Sequence, residues 1–361
     1  LKLNNYNKSN LAKYNYEINY VSFSISKRKY PENHFVILKE EDVILSQESI
    51  KFFNNILVNH RDCNILYTDE DFIEGNIRTN PNFKPDWNRE MFMTNPNFGS
   101  MWVIRSDLVN NAISILRKFQ FEINSFNIVL EVTSLLENRK ESGTIHHLPL
   151  VLAHKNSKKY RLRKASRNNL YYLKNHISRY KELFGNLKNI LFAKDSIGYI
   201  YEWEIPKKTL LSILIPTKDK LSYLLKCIDS IYKYKIDFDV EIIIIDNGSK
   251  EDNSLNYLNS INNKLINKIF HKVIIEDGEF NFSYLINSGA RKAKGNVLLL
   301  LNNDIEIIKE NWADYLVSNA LRPNIGCVGA KLVYHDLNVQ HAGVVLGIGG
   351  YAGHSHKYFS S

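Results

Sequence analysis

The second half of the sequence places polar side chains directly after three strongly apolar segments. They are Thr217 and Asp219 after residues 210–215, Asp246 after residues 240–245, and Asn302, Asn303 and Asp304 after residues 297–301. A carboxylate near a nucleoside accepts hydrogen bonds from the base or the ribose, whereas one beside a diphosphate usually needs a divalent cation to offset repulsion. A single Asp after a strand is often only a helix cap or turn residue, and for Asp246 that interpretation stays open. The combination at three segment ends is more specific and indicates a nucleotide site.

The elements that must position these residues have the pattern of a parallel α/β sheet. We expect strands at 210–215, 240–245, 268–275 and 297–301, and helices at 222–234 and 282–294. The second strand is a nearly continuous β-branched run, as is typical of a strand buried on both faces. Such an alternation predicts parallel strands with right-handed crossovers and a ligand beyond the carboxyl ends of the strands. The polar residues should therefore meet at one edge of one sheet.

The first half of the sequence has a less regular pattern. We expect a strand at 35–38 followed by an acidic turn at 40–42, a helix at 46–58, a short strand at 64–67 that runs into the segment 68–71, and a helical segment at 169–184. A basic run at 158–164 precedes the last helix, and we interpret this region as a connector. Its charges fit a solvated face or, less well, a membrane-facing patch.

Composition narrows the class of protein. The chain has 361 residues, of which 44% are hydrophobic, a composition typical of globular proteins. Its net charge of +9 favours anionic partners, although a generally Lys-rich surface explains the charge equally well. Nucleic-acid binding is disfavoured because the basic residues are dispersed and no binding motif is present.

The three cysteines are far apart, which favours a reducing compartment, and no apolar run reaches the roughly 20 residues of a membrane-spanning helix. We also expect no signal peptide, and a first residue other than Met is what a fragment would have.

The C-terminal motifs resemble family-2 glycosyltransferases over about 150 residues, within their rhamnosyltransferase-like subgroup. The segments that carry the resemblance are 212–219, 241–249, 280–283 with Asn287, 293–295, 298–304, 330–332, 340–345 and 353–354. The segment Leu298–Asp304 corresponds to a form of the family's DxD motif in which Asn302 replaces the first Asp. The resemblance implies a GT-A fold, a Rossmann-like α/β fold with a mainly parallel sheet.

The resemblance also implies roles for individual residues. The residues expected to bind the nucleotide sugar are Pro216, Thr217, Asp219, Asp246, Asn287 and Asn303, and those expected to bind Mg²⁺ or Mn²⁺ are Asp304 and Asn302. The cation would act as a Lewis acid for the departing nucleotide. The family's catalytic base lies further C-terminal, so we expect no base in this second module.

The N-terminal region shows a weaker resemblance to the same family. The segment 35–45 resembles the strand and DxD turn of another family-2 module, and the segments 67–71, 83–87 and 147–154 are similar to the acceptor half of such modules in tandem enzymes. Where the family carries its base-bearing carboxylates, the sequence reads Ser125-Phe126-Asn127-Ile128. We therefore expect a degenerate module that serves acceptor contacts or stability.

These observations lead to one hypothesis and one alternative. We expect an unassigned segment at 1–32, a partial degenerate module at 33–155, a helical basic linker at 156–208 and a truncated donor-binding half at 209–361. The chain would transfer a sugar from a nucleotide-diphosphate sugar to a saccharide or lipid-linked acceptor in bacterial surface polysaccharide synthesis, in the cytoplasm and with peripheral membrane contact. The alternative is a non-catalytic donor-binding protein that lacks the base.

Overall fold

The structure is a computed structural model that describes residues 18–21, 34–40, 42–75, 77–139, 144–156, 165–194, 197–346 and 350–360. The chain divides into two compact units, Leu1–Glu202 and Trp203–Ser361. Each unit combines helices with a β-sheet, so the expected α/β class is confirmed. Within the described residues, no helix has the length and apolar character needed to cross a bilayer.

The first unit is built on a mixed seven-stranded sheet with the order β1-β2-β6-β4-β7-β3 and with β5 paired to β4. The strands are β1 Ile18–Val21, β2 Phe35–Lys39, β3 Val43–Leu45, β4 Cys63–Glu74, β5 Ile77–Asn82, β6 Met101–Arg105, β7 Thr144–Asn156, β8 Leu187–Phe192 and β9 Tyr199–Trp203, the last ending at the unit boundary. The helices are α1 Gln47–Asn59, α2 Arg89–Thr94, α3 Ser106–Lys118, α4 Ser125–Arg139, α5 Arg167–Arg179 and α6 Lys181–Phe184. The predicted strand at 35–38 and helix at 46–58 are confirmed to within one residue.

Strand β4 is longer than the expected strand at 64–67, because it continues through the acidic segment 68–71. Parallel pairing with β7 extends along β4 as far as Ile73, opposite Asn156. Acidic side chains are poor strand formers when they are solvated. Here Glu70 is only 1% exposed and lies between two lysine ammonium groups, so ion pairing permits the extended conformation.

The expected linker contains regular structure in its described part. Helix α5 buries Tyr172, Leu173, His176 and Ile177, and β8 pairs with β9 in a two-stranded sheet. The basic run at 158–164 lies outside the described residues.

The second unit contains a five-stranded sheet with the order β12-β13-β11-β10-β14. Its strands are β10 Leu210–Thr217, β11 Asp239–Asp246, β12 Lys264–Ile266, β13 Ile269–Ile275 and β14 Val297–Leu300, followed by β15 Leu332–Val333, β16 Val339–His341, β17 Val344–Leu346 and β18 Ala352–His354 in two small hairpin sheets. The helices are α7 Leu221–Tyr232, α8 Asp252–Ile261, α9 Phe282–Lys292 and α10 Trp312–Ala320. All pairs among β10, β11, β13 and β14 are parallel, as predicted, and only β12 is antiparallel.

Apolar side chains cover both faces of this sheet. On one face, Ile213 and Ile242 pack with Leu224 and Ile228 of α7. On the other face, Leu214 and Ile243 pack with Leu285 of α9. Burial on both faces explains the nearly continuous apolar runs of β10 and β11, whereas Leu298 and Leu300 of β14 are exposed. It also fixes where each strand ends, and therefore where the polar residues begin.

Candidate functional site

The carboxyl ends of β10 and β14 open onto one cleft of about 830 Å³ in the second unit. The cleft is lined by the strand-end residues Pro216, Thr217, Asp219, Asn302, Asn303 and Asp304, together with Lys218, Lys220, Asn247, Glu251, Phe280, Phe282 and Leu285. Six of the eight residues selected from the sequence therefore lie together. Two lysines and two exposed phenylalanines join them, which gives the cleft cationic and aromatic surface beside its carboxylates.

Asp219 ties the loop after β10 to the loop after β11. Its Oδ1 accepts hydrogen bonds from the backbone N–H groups of Lys250 at 2.7 Å and Glu251 at 2.8 Å. Its own backbone N–H donates to Ser249 Oγ at 2.8 Å. The N–H groups of Glu251 and Lys250 lower the pKa of Asp219, because they stabilise the ionised carboxylate. Asp219 and Lys220 both have positive φ angles, of 49° and 48°, a strained backbone that is found often at functional sites.

Asp246 supports the cleft from beneath it. It is only 2% exposed and does not line the cleft. Its carboxylate accepts hydrogen bonds from the backbone N–H of Ser249, at 3.1 and 3.2 Å, and from Ser249 Oγ at 2.5 Å. The hydrogen bonds of Asp246 in this structure are therefore those of a turn residue. Ser249 connects Asp246 to Asp219.

The segment after β14 presents oxygen atoms to the cleft. Asn303 Nδ2 donates to Thr217 Oγ1 at 3.0 Å, which joins this segment to the end of β10. Asp304 and Asn302 are exposed, and the Asp304 carboxylate makes no hydrogen bond or ion pair with the part of the chain that the structure describes. Carboxylate and amide oxygens are the ligands that Mg²⁺ and Mn²⁺ prefer. The donor set fits such an ion, with one carboxylate where the family's motif has two.

A buried polar cluster fixes the start of β14. Glu241 Oε1 accepts hydrogen bonds from Ser212 Oγ at 2.5 Å and from the backbone N–H of Lys294 at 2.6 Å, and Ser212 Oγ accepts one from the N–H of Gly295 at 2.9 Å. This cluster holds the turn before β14 against β10. Sequence reasoning assigned no role to Ser249, Glu241, Lys218, Lys220 or either phenylalanine. The lysines could have been found, because they flank Asp219 directly in the sequence.

Asn287 is the remaining residue selected from the sequence. It is exposed on α9 and is not among the residues that line the cleft.

Three acidic residues of β4 in the first unit are paired with lysine or histidine side chains. Glu70 lies 2.8 Å from Lys84 Nζ and 2.7 Å from Lys155 Nζ. Burial alone would raise the pKa of Glu70, but the two ammonium groups outweigh burial and lower that pKa to about 2. Asp69 lies 2.8 Å from His147 Nε2, and Asp71 lies 2.6 Å from His154 Nδ1. These carboxylates therefore stabilise the sheet.

The segment at 125–128 forms the first turn of α4 and is buried. Asn127 is 0% exposed, and its Nδ2 donates to the backbone oxygen of Glu122 at 2.7 Å. Neither Ser125 nor Asn127 carries a titratable group. The segment therefore offers nothing that could accept a proton as a general base.

The second unit is thus an α/β domain whose cleft, at the carboxyl edge of a mainly parallel sheet, holds oxygen ligands suited to a divalent cation. Residues 212–357 match the sequence model of the family described as Glycosyl transferase family 2. The second unit therefore carries a family-2 glycosyltransferase domain, as the resemblance implied.

Two relatives match most of this chain. The chain is 31% identical over 336 residues to the uncharacterized protein y4gI of Sinorhizobium fredii, covering 90% of this chain and 35% of that protein. It is 28% identical over 295 residues to the O-antigen biosynthesis protein RfbC of Myxococcus xanthus, covering 80% of this chain and 22% of that protein. The chain thus spans about a third and about a fifth of the length of these relatives.

Among solved structures, the mannosyltransferase PcManGT of Pyrobaculum calidifontis, described in complex with GDP-Man and Mn²⁺, is similar at a TM-score of 0.29 and 15% identity. This similarity covers 36% of this chain and 39% of that chain.

Proposed function

We propose that this chain binds a nucleotide-diphosphate sugar in the cleft of the second unit and serves a metal-dependent glycosyl transfer. The acceptor would be a saccharide or a lipid-linked saccharide, and the process would be assembly of a bacterial surface polysaccharide. The observation that carries the proposal is the convergence of Asp219, Asn303 and Asp304 on one cleft at the carboxyl edge of the sheet. The family match over 212–357 and the name of the RfbC relative support it.

Each part of the cleft suits one part of the donor. Phe280 and Phe282, at 72% and 41% exposure, offer apolar faces to a nucleobase. The loop of Thr217 and Asp219 offers a hydroxyl and a carboxylate to a ribose. Lys218 and Lys220 offer positive charge to the diphosphate.

Asp304 and Asn302 would hold Mg²⁺ or Mn²⁺. When bound, the cation would supply Lewis-acid assistance to the departing nucleoside diphosphate. The role of these residues is to orient the diphosphate at the edge of the sheet, while Asn303 keeps their segment against Thr217.

The non-catalytic alternative remains a distinct hypothesis. Deprotonation of an acceptor hydroxyl needs a titratable group, and the described residues at 125–128 carry none. We propose that the first unit serves stability or acceptor contacts. Cytoplasmic location with peripheral membrane contact belongs to the same proposal, because its acceptor would be assembled at a membrane.

Calorimetric titration of the chain with UDP or GDP, with and without Mn²⁺ or Mg²⁺, tests the donor site. We expect metal-dependent binding in the wild type and a loss of at least about tenfold, or about 1.4 kcal/mol, in Asp304→Ala, because that variant removes the only carboxylate of the metal set. The matched control is Asp237→Asn, an exposed Asp just before the amino end of β11, at the opposite edge of the sheet. Equal nucleotide affinity with and without metal, or in Asp304→Ala, contradicts the proposal.

An activity assay separates the enzyme from the binding protein. Release of nucleoside diphosphate from a donor sugar, alone or with an acceptor, supports transfer or hydrolysis. Binding of the donor with no release supports the non-catalytic alternative.

A further inference from the structure

Two histidines and an aspartate meet at the amino ends of β4 and β7 in the first unit. His60 is the C-cap of α1, Asp62 precedes β4, and His146 lies in β7. The sequence gives no spacing signal for the group, because 84 residues separate Asp62 from His146. It forms because Cys63 of β4 pairs with Thr144 of β7 in the parallel register.

The three side chains offer one ligand atom each, and these atoms all lie within 4.8 Å of one another. The two imidazole rings have centroids 4.8 Å apart. A tetrahedral zinc site requires ligand atoms roughly 3.3 Å apart, given metal–ligand bonds of about 2.0 to 2.1 Å. His60 and Asp62 are exposed and His146 is half-buried, so small side-chain rotations can close the set around an ion.

Backbone hydrogen bonds hold the segments that carry these three side chains. Thr144 N–H donates to the backbone oxygen of Asp62 at 2.9 Å, and Cys63 N–H donates to that of His60 at 3.0 Å. Thr144 Oγ1 donates to Asp62 Oδ2 at 3.1 Å and lies 2.5 Å from His146 Nε2. Thr144 therefore contacts two of the three side chains, as residues that orient metal ligands do.

We propose that His60, Asp62 and His146 form a Zn²⁺ site. Two imidazoles and one carboxylate are a known ligand set for zinc, with water in the fourth position. The ion would join the end of α1 to the first residues of β4 and β7, and so stabilise the first unit. These residues belong to the first unit, whereas the cleft that we propose for the donor belongs to the second unit.

Zinc titration of the chelator-treated full chain tests the proposal. We expect the wild type to bind zinc at this site, and His60→Ala/His146→Ala to lose one equivalent. Thr144→Val should weaken that binding about tenfold, because the Asp62 and His146 side chains lose a common partner. Zinc should raise the melting temperature of the wild type and not that of the double variant, because only a folded protein with the site gains from the ion.

The control is His341→Ala/His354→Ala, which removes the other close histidine pair, with Nδ1 atoms 3.0 Å apart in the second unit. This control and Asp304→Ala should both retain the site, so its failure is distinguishable from failure of the donor site. If the double alanine variant does not fold, Asp62→Asn keeps the side-chain volume and should still lose affinity. No zinc uptake by the wild type, full uptake by a folded His60→Ala/His146→Ala or by Asp62→Asn, or preferential binding of Mg²⁺ or Mn²⁺ in competition with zinc overturns the proposal.

Discussion

At the residue scale, the loops that line the cleft of the second unit are joined by the Ser249 hydroxyl, a role that the sequence does not reveal. Ser249 Oγ donates to the buried carboxylate of Asp246 and accepts from the backbone of Asp219. The position of Asp219 and Asp304 in the cleft could be predicted because the apolar runs indicate where the strands end. The role of Ser249 could not, because its contact with Asp219 joins loops 30 residues apart and depends on the strand register.

Ser249→Ala should weaken nucleotide binding about tenfold, or about 1.4 kcal/mol. The variant removes a donor from a carboxylate that is 2% exposed and removes the acceptor of the Asp219 backbone N–H. Leaving a buried acceptor without its partner costs about 1 to 3 kcal/mol. Titration with the same nucleotide measures the effect. Ser260→Ala is the matched control, because Ser260 is exposed on α8 and bonds only to the backbone of its own helix. Equal affinity in Ser249→Ala and Ser260→Ala would show that the hydroxyl does not organise the cleft.

At the element scale, β14 leads into the segment that we propose to bind the metal, and the turn before β14 approaches β10 closely at Gly295. A Cβ atom there would lie 2.5 Å from Ser212 Oγ, 2.6 Å from the backbone oxygen of Leu210 and 2.7 Å from the backbone nitrogen of Ser212. Two of these atoms belong to the backbone of β10 and cannot rotate away. The sequence predicted strands 210–215 and 297–301, and Gly295 lies just after the expected helix at 282–294, in a segment noted only for its resemblance to the family. The contact with β10 follows from the sheet order, which periodicity alone does not fix.

Gly295→Ala should therefore destabilise the second unit by about 2 kcal/mol and reduce metal-dependent nucleotide binding. Overpacking of a close contact costs about 1 to 3 kcal/mol, and the strain falls where β14 begins. Chemical denaturation and nucleotide titration measure the two effects. Gly326→Ala is the control, because a Cβ at Gly326 would meet no atom within 4 Å among the described residues. Unchanged stability in Gly295→Ala would mean that β10 and β14 tolerate a wider separation.

At the scale of the whole molecule, the first unit contains two buried glutamates that are paired with basic side chains. Glu70 is paired with Lys84 and Lys155, and Glu131 lies 3.0 Å from His176 Nδ1. Burial alone would raise the pKa of Glu131, but His176 and Arg179 outweigh it and lower that pKa to about 2. The sequence predicted a degenerate module from its missing carboxylates. It could not predict which remaining carboxylates are buried, because that depends on lysines and histidines that only the fold brings close.

Both buried glutamates should make the first unit sensitive to acid. A carboxyl whose pKa is lower in the folded than in the unfolded state stabilises the fold above the unfolded value, and that stability is lost as the pH falls. The pKa values of Glu70 and Glu131 fall from 4.5 to about 2, so the loss should occur between pH 4.5 and about 2. Urea unfolding followed by the fluorescence of Trp87 and Trp102, in a Trp203→Phe/Trp312→Phe background, measures it in the first unit.

Glu70→Gln tests the cause of that acid sensitivity. At pH 7 it should destabilise the first unit by about 3 kcal/mol, because two buried ammonium groups lose their shared carboxylate. Between pH 4.5 and 2 it should lose less further stability than the wild type does, since one titrating group has been removed. Glu74→Gln, at the exposed end of the same strand, should change neither quantity. If Glu70→Gln and the wild type lose equal stability on acidification, the Lys84–Glu70–Lys155 group is not what titrates. The buried carboxylates of this unit would then contribute less to its stability than their ion pairs imply.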